Sequence, residues 1–141
     1  MGDITLESRN GSPRGKRVLL VDDDIELLLT YQELLQAHDY EVSTAENGDQ
    51  ALRLLKSREV DAIICDLDMP ELSGDLLYVE VGQAWPPLLK RFIFLTGNAE
   101  NPTYERFLKT SRANVLFKPL SIACLLEKLQ VVLDIQAKPS T

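Results

Sequence analysis

Four short polar clusters along this chain carry side chains suited to chemistry: Asp22-Asp23-Asp24, Asp66 within Cys65-Asp66-Leu67-Asp68-Met69-Pro70, Thr96-Gly97, and Lys118-Pro119. Each follows directly on a short apolar run. Were they to converge, the carboxylates would repel one another, by about 4 kcal/mol for two unit charges some 4 Å apart at an effective dielectric near 20. Positive charge must compensate. Lys118 supplies one unit, and a hard divalent cation such as Mg²⁺, held by one or two carboxylates, could supply more. A carboxylate beside such a cation and an ammonium group is a suitable phosphoryl acceptor, because both neutralise the oxygens of the transferring group. Thr96 Oγ and the Gly97 N–H could donate hydrogen bonds to it, and Gly97 leaves room for it. Taken singly, each residue has a plainer reading. Asp24 is the natural N-cap of a helix starting at Ile25, and isolated Asp, Thr-Gly and Lys are ordinary turn and surface residues. It is the recurrence at four of five run ends that points to a site.

The elements that must position these groups alternate. Residues 18–21, 41–45, 62–65, 92–95 and 115–117 are strand-sized, and several are apolar throughout, as parallel strands buried on both faces require. Between them, residues 25–37, 49–57, 75–83, 103–110 and 121–135 read as helices. In the last, Ile122, Leu125, Leu126, Leu129, Val132 and Leu133 step by three and four along one stripe, with Ser121 as the cap; Val131 and Ile135 fall off it and leave room for a second, partner-facing surface. Alternation of strand and helix predicts an α/β fold, a doubly wound five-stranded parallel sheet of flavodoxin-like order 2-1-3-4-5. In that order the first, third and fourth strands are neighbours, with their carboxyl ends, where ligands gather, carrying Asp22 or Asp23, Asp66 and Thr96. Trp85-Pro86-Pro87 ends the third helix and opens a loop.

The chain has 141 residues, one domain's worth, with 45% hydrophobic and 26% charged residues and only seven Gly and seven Pro, which excludes fibrous and wholly disordered classes. We divide it into a flexible tail or linker remnant at 1–16, a folded domain at 17–135 and a C-terminal tail at 136–141. Acids exceed bases by 22 to 15, so neither nucleic acid nor an anionic membrane is an expected partner. No apolar run approaches a membrane span, and no secretory signal opens the chain, so a cytoplasmic location without membrane insertion is expected. Cys65 and Cys124, flanked by apolar residues and lacking metal-ligand spacing, read as reduced core thiols. His38 reads as a structural residue near the end of the first helix.

Val18-Leu19-Leu20-Val21-Asp22-Asp23-Asp24, Ile63-Ile64-Cys65-Asp66-Leu67-Asp68-Met69-Pro70 with Ser73-Gly74, Phe94-Leu95-Thr96-Gly97 and Phe117-Lys118-Pro119 together resemble the receiver domains of two-component response regulators, including the chemotaxis regulators. The spacings agree with that family, thirty residues from Asp66 to Thr96 and twenty-two from Thr96 to Lys118. The resemblance implies a phosphorelay module rather than an enzyme turning over free substrate. It makes Asp66 the phosphoacceptor, receiving a phosphoryl group from a phosphohistidine of a sensor histidine kinase or a histidine phosphotransfer protein. Asp22, Asp23, Asp66 and the Asp68 backbone carbonyl would hold Mg²⁺. Thr96, Gly97 and Lys118 would engage the phosphoryl group, and Asp68 and Asn98 would tune its hydrolysis. The Lys118-Pro119 bond is expected to be cis, and a homodimer through the fourth helix, fifth strand and fifth helix is open. One position departs from the family: Val115 stands where many receivers carry a switching Tyr or Phe. Two other readings compete with it. A phosphatase of the haloacid dehalogenase type also uses an Asp-x-Asp pair, but there the pair follows the first strand and further acids follow the Lys. A receiver-like module that is never phosphorylated would not need every site position intact.

Overall fold

The computed structural model describes residues 15–69, 74–97, 102–111 and 113–133, without the side chains at 103 and 104. Asn98, Ile135, most of the expected N-terminal tail and the whole C-terminal tail lie outside the described residues.

Among the described residues five strands and five α-helices alternate: β1 Arg17–Val21, α1 Ile25–Ala37, β2 Glu41–Ala45, α2 Gly48–Ser57, β3 Ala62–Asp66, α3 Gly74–Ala84, β4 Phe92–Thr96, α4 Pro102–Ser111, β5 Asn114–Phe117 and α5 Ile122–Val132. The sheet is parallel in every pairing and runs β2-β1-β3-β4-β5, the order expected from the alternation. β3 and β4 are buried along their whole length, which is why their sequences are apolar without alternation, whereas β2 and β5 form the half-buried edges. Gly15 and Lys16 already belong to the paired structure: Gly15 N–H donates to Asp39 O, and the Lys16 carbonyl accepts from Glu41 N–H.

Side chains alternate across the sheet and build two cores. Leu19, Val21, Ile63, Cys65, Phe92 and Phe94 meet Ala51 and Leu55 of α2 and Leu77 and Val81 of α3. On the other face Val18, Leu20, Ile64, Ile93 and Leu95 meet Leu28 and Leu35 of α1 and Leu125, Leu129 and Leu133 at α5. The caps explain where the helices start. Asp24 accepts from Leu27 N–H, Ser121 from Cys124 N–H, and Asn47 from Gln50 N–H while the Gln50 side chain accepts from Glu46 N–H in return. At the far end of α1, His38 Nδ1 donates to the Leu34 carbonyl, in the structural role expected of it.

Two expectations need correction. The segment after Trp85 is a 3₁₀ helix, Pro86–Arg91, rather than a loop; prolines in its first turn give up no hydrogen bond there, and the Trp85 carbonyl accepts from Leu88 N–H. Cys124 is exposed, not a core thiol, because it lies in the first turn of α5 off the stripe of Leu125, Leu129 and Leu133. Cys65 is buried, and both thiols are free.

Candidate phosphoacceptor site

Three parallel strands and one loop end at the same edge of the sheet, and that edge gathers the acids. β1 stops at Val21 and hands over to Asp22, whose Oδ1 accepts from Asp24 N–H at 2.9 Å, the turn that launches α1. β3 runs one residue further than its apolar stretch, so Asp66 is its last residue and only 4% exposed. Asp66 Oδ1 accepts from Asp68 N–H and from Lys118 Nζ, each at 3.3 Å. Lys118 comes from the turn after β5, its N–H bonded to the Thr96 carbonyl at 2.8 Å, and the Lys118-Pro119 bond is cis as the resemblance implied. Its Nζ also faces Asp22 Oδ2 across 3.8 Å. Thr96 is fully buried at the end of β4, and Gly97 lies against the Lys118 shank.

Asp22, Asp23 and Asp66 each place a carboxylate oxygen within 4.8 Å of the others. Burial is the main force on their titration. It lifts Asp22 to about 6, with Asp66 and Asp23 pushing the same way and the Asp24 N–H and Lys118 pulling back. Asp66 is raised by burial too, against the opposing pull of Lys118 and the Asp68 N–H. Burial works against the Lys118 ammonium, but Asp66 and Asp22 outweigh it and hold its pKa above the usual value.

Asp22 Oδ2 is buried and has no hydrogen-bond partner among the described residues. An orphaned carboxylate oxygen with two further carboxylates in reach is the donor set a hard cation takes, so the residues present fit Mg²⁺.

Two contributors escape a reading of residue types. Gly74 opens α3 so close to β3 that a Cβ there would lie 2.9 Å from the Asp66 carbonyl oxygen and 3.0 Å from Leu67 Cα. Only its place right after the acidic motif hints at that contact. Tyr31 stands one turn beyond Leu28 on α1, its phenol raised by burial and further influenced by Lys118 and Asp22; the spacing 28, 31, 35 was the available signal.

The family model for the response regulator receiver domain matches residues 18–130. The chain is a member of that family. Against the transcriptional regulatory protein GlrR of Escherichia coli (strain K12) it is 32% identical over 130 residues, covering 92% of this chain and 29% of that protein. Chemotaxis protein CheY4 of Vibrio cholerae superposes with a TM-score of 0.74 at 31% identity, over 84% of this chain and 98% of that one. The response regulator TrrA of Thermotoga maritima, solved in complex with Mg²⁺ and beryllofluoride, gives 0.72 at 31% identity, over 83% and 98%. This receiver therefore spans under a third of the curated relative just named. The match favours a two-component receiver over both the phosphatase and the unphosphorylated module.

Proposed function

We propose that this receiver takes a phosphoryl group on Asp66, and the observation that carries the reading is the buried Asp66 carboxylate hydrogen-bonded to Lys118 beside the orphaned oxygen of Asp22. An Asp66 oxygen attacks phosphorus in line as the P–N bond to the donor imidazole breaks; the imidazole keeps the electron pair and takes up a proton. Lys118 turns from the carboxylate to the new phosphoryl oxygens, and Thr96 Oγ and Gly97 N–H donate to them. Asp22, Asp23, Asp66 and the Asp68 carbonyl would hold Mg²⁺, which when bound neutralises phosphoryl charge. Asp68 and Asn98, each two positions past a key residue, would tune attack of water on the acyl phosphate.

The donor is a phosphohistidine of a sensor kinase or phosphotransfer protein, in the cytoplasm, and the product is a conformational signal rather than turnover of a free substrate. Among the described residues no helix is long and apolar enough to cross a membrane. The surface of α4, β5 and α5 is available for a homodimer or a target, with Phe117 and Val131 exposed on it.

The test is incubation with Mg²⁺ and acetyl phosphate, followed by intact mass and peptide mapping. One phosphoryl group on Asp66, lost in Asp66→Ala and with EDTA, is the expected result. Labelling that survives Asp66→Ala overturns the assignment.

A further inference from the structure

Val115 and Phe94 are register partners on β5 and β4, so their side chains leave the sheet on the same face, the one covered by α3 and α4. Val115 is short and, being β-branched, stiff about its first torsion; it has no ring to swing. The rings on this face come instead from its neighbours. Phe94 stacks on Phe92 with centroids 5.0 Å apart, and Phe107 of α4 meets it edge-on at 5.3 Å and 84°. Tyr78 of α3 meets Phe107 at 5.3 Å, Phe92 at 5.2 Å and Phe94 at 5.7 Å. Four rings from α3, β4 and α4 thus form one closed cluster with Phe94 touching every other member.

Phe94 also reaches toward the acceptor. A Cβ on Gly74 would come within 3.2 Å of Phe94 Cε1 as well as 2.9 Å of the Asp66 carbonyl oxygen, so Gly74 sits between the ring and the Asp66 backbone with no room for a side chain. Thr96 lies two residues along the same strand, on the same face as Phe94. Tightly packed groups move together, and edge-to-face rings hold a preferred mutual orientation.

We propose that Phe94 couples the state of Asp66 to the position of α4, receiving displacement through Gly74 and passing it to Phe107, in place of a switching side chain at position 115. The inference rests on Asp66 being the phosphoacceptor. Its output is the outer face of α4, where Glu105, Arg106 and Lys109 are exposed.

The experiment uses the full chain with and without Mg²⁺ and beryllofluoride. Side-chain NMR of the wild type should show the Phe94 and Phe107 rings shifting together when the adduct forms, and hydrogen exchange of residues 105–111 should change by about threefold or more. Phe107→Leu should keep the adduct and the response at Leu67 but lose the response in α4, whereas Val115→Ala should respond as the wild type does. An adduct that leaves the Phe107 ring unmoved in the wild type overturns the inference, as does an α4 response that persists in Phe107→Leu or vanishes in Val115→Ala. Failure to form the adduct overturns it together with the assignment of Asp66.

Discussion

Asp66 and Lys118, 52 residues apart in sequence, are joined by a 3.3 Å hydrogen bond between opposite charges, while the same ammonium stays 3.8 Å from Asp22. The ammonium thus holds Asp66 and leaves its neighbour under-compensated. Lys118→Met removes a donor from the place where phosphoryl charge develops, so labelling of Asp66 by acetyl phosphate should slow by about 100-fold or more. A time course by intact mass measures it; a rate within about threefold of wild type would show that Lys118 is dispensable.

Asp22→Asn keeps an oxygen for the Asp24 N–H but removes a buried charge that Asp66 and Asp23 oppose. In EDTA the variant should be more stable than the wild type by about 1–3 kcal/mol. Mg²⁺, which at about 100 times its dissociation constant should stabilise the wild type by about 2.7 kcal/mol, should have much less effect on it. Urea unfolding with and without Mg²⁺ tests both halves.

The same residue sets a pH dependence. The folded pKa of Asp22, about 6, lies above the ordinary 3.8, so between these values the folded state binds the proton that the unfolded state has lost. Stability contributed by that proton is fully present below 3.8 and is lost as pH rises through about 6, by about 3 kcal/mol at most. Asp66 acts in the same direction. In metal-free protein the stability of the wild type minus that of Asp22→Asn should therefore fall from about pH 4 to about pH 7; a flat difference curve contradicts the burial of Asp22 as the cause.

Gly74 and Gly97 should respond oppositely to an added methyl group. At Gly74 the new Cβ meets the Asp66 and Leu67 backbone, which cannot swing aside, so Gly74→Ala should cost about 1–3 kcal/mol and shift the Asp66 and Leu67 amide resonances. At Gly97 it meets the Lys118 shank at 3.8 Å, an ordinary contact, and Gly97→Ala should stay within about 0.5 kcal/mol. Thermal unfolding of the two variants side by side decides it.

The two thiols should also separate. Cys124 is exposed and Cys65 is buried, with burial, Asp66, Asp22 and Asp75 pushing its pKa well up. Under native conditions a maleimide should modify Cys124 alone, with Cys65 following only after denaturant; peptide mapping reads the order.

How much of this was legible beforehand depended on whether a residue's surroundings were local. Residues 62–65 and 92–95 announce buried strands because no polar residue interrupts them, and Asp24 and Ser121 mark helix starts because a cap acts within three residues. The sheet order and the meeting of Asp22, Asp66 and Lys118, with Thr96 at the end of the adjoining strand, followed from alternation and the rule for strand ends. Cys124 misled because its apolar neighbours Leu125 and Leu126 turn inward while it turns out. The 3₁₀ helix was hidden behind Pro86-Pro87, which signals a break in an α-helix without saying what replaces it. Gly74 was legible only as part of the motif after Asp66, not as a close approach, and the aromatic cluster was illegible, since contacts between elements distant in sequence leave no periodicity to read.

The dispersal of the site along the chain also bears on quality control. Asp22, Asp66 and Lys118 meet only after β1, β3, β4 and β5 have paired, so the acidic site is a product of long-range assembly rather than of any one strand-helix unit. A truncated or half-folded copy without one of these strands would lack either the counter-charge of Asp66 or its neighbouring acids. On the proposed role of Asp66 such a molecule would be silent, because uptake of a phosphoryl group would itself report that β1, β3, β4 and β5 have come together.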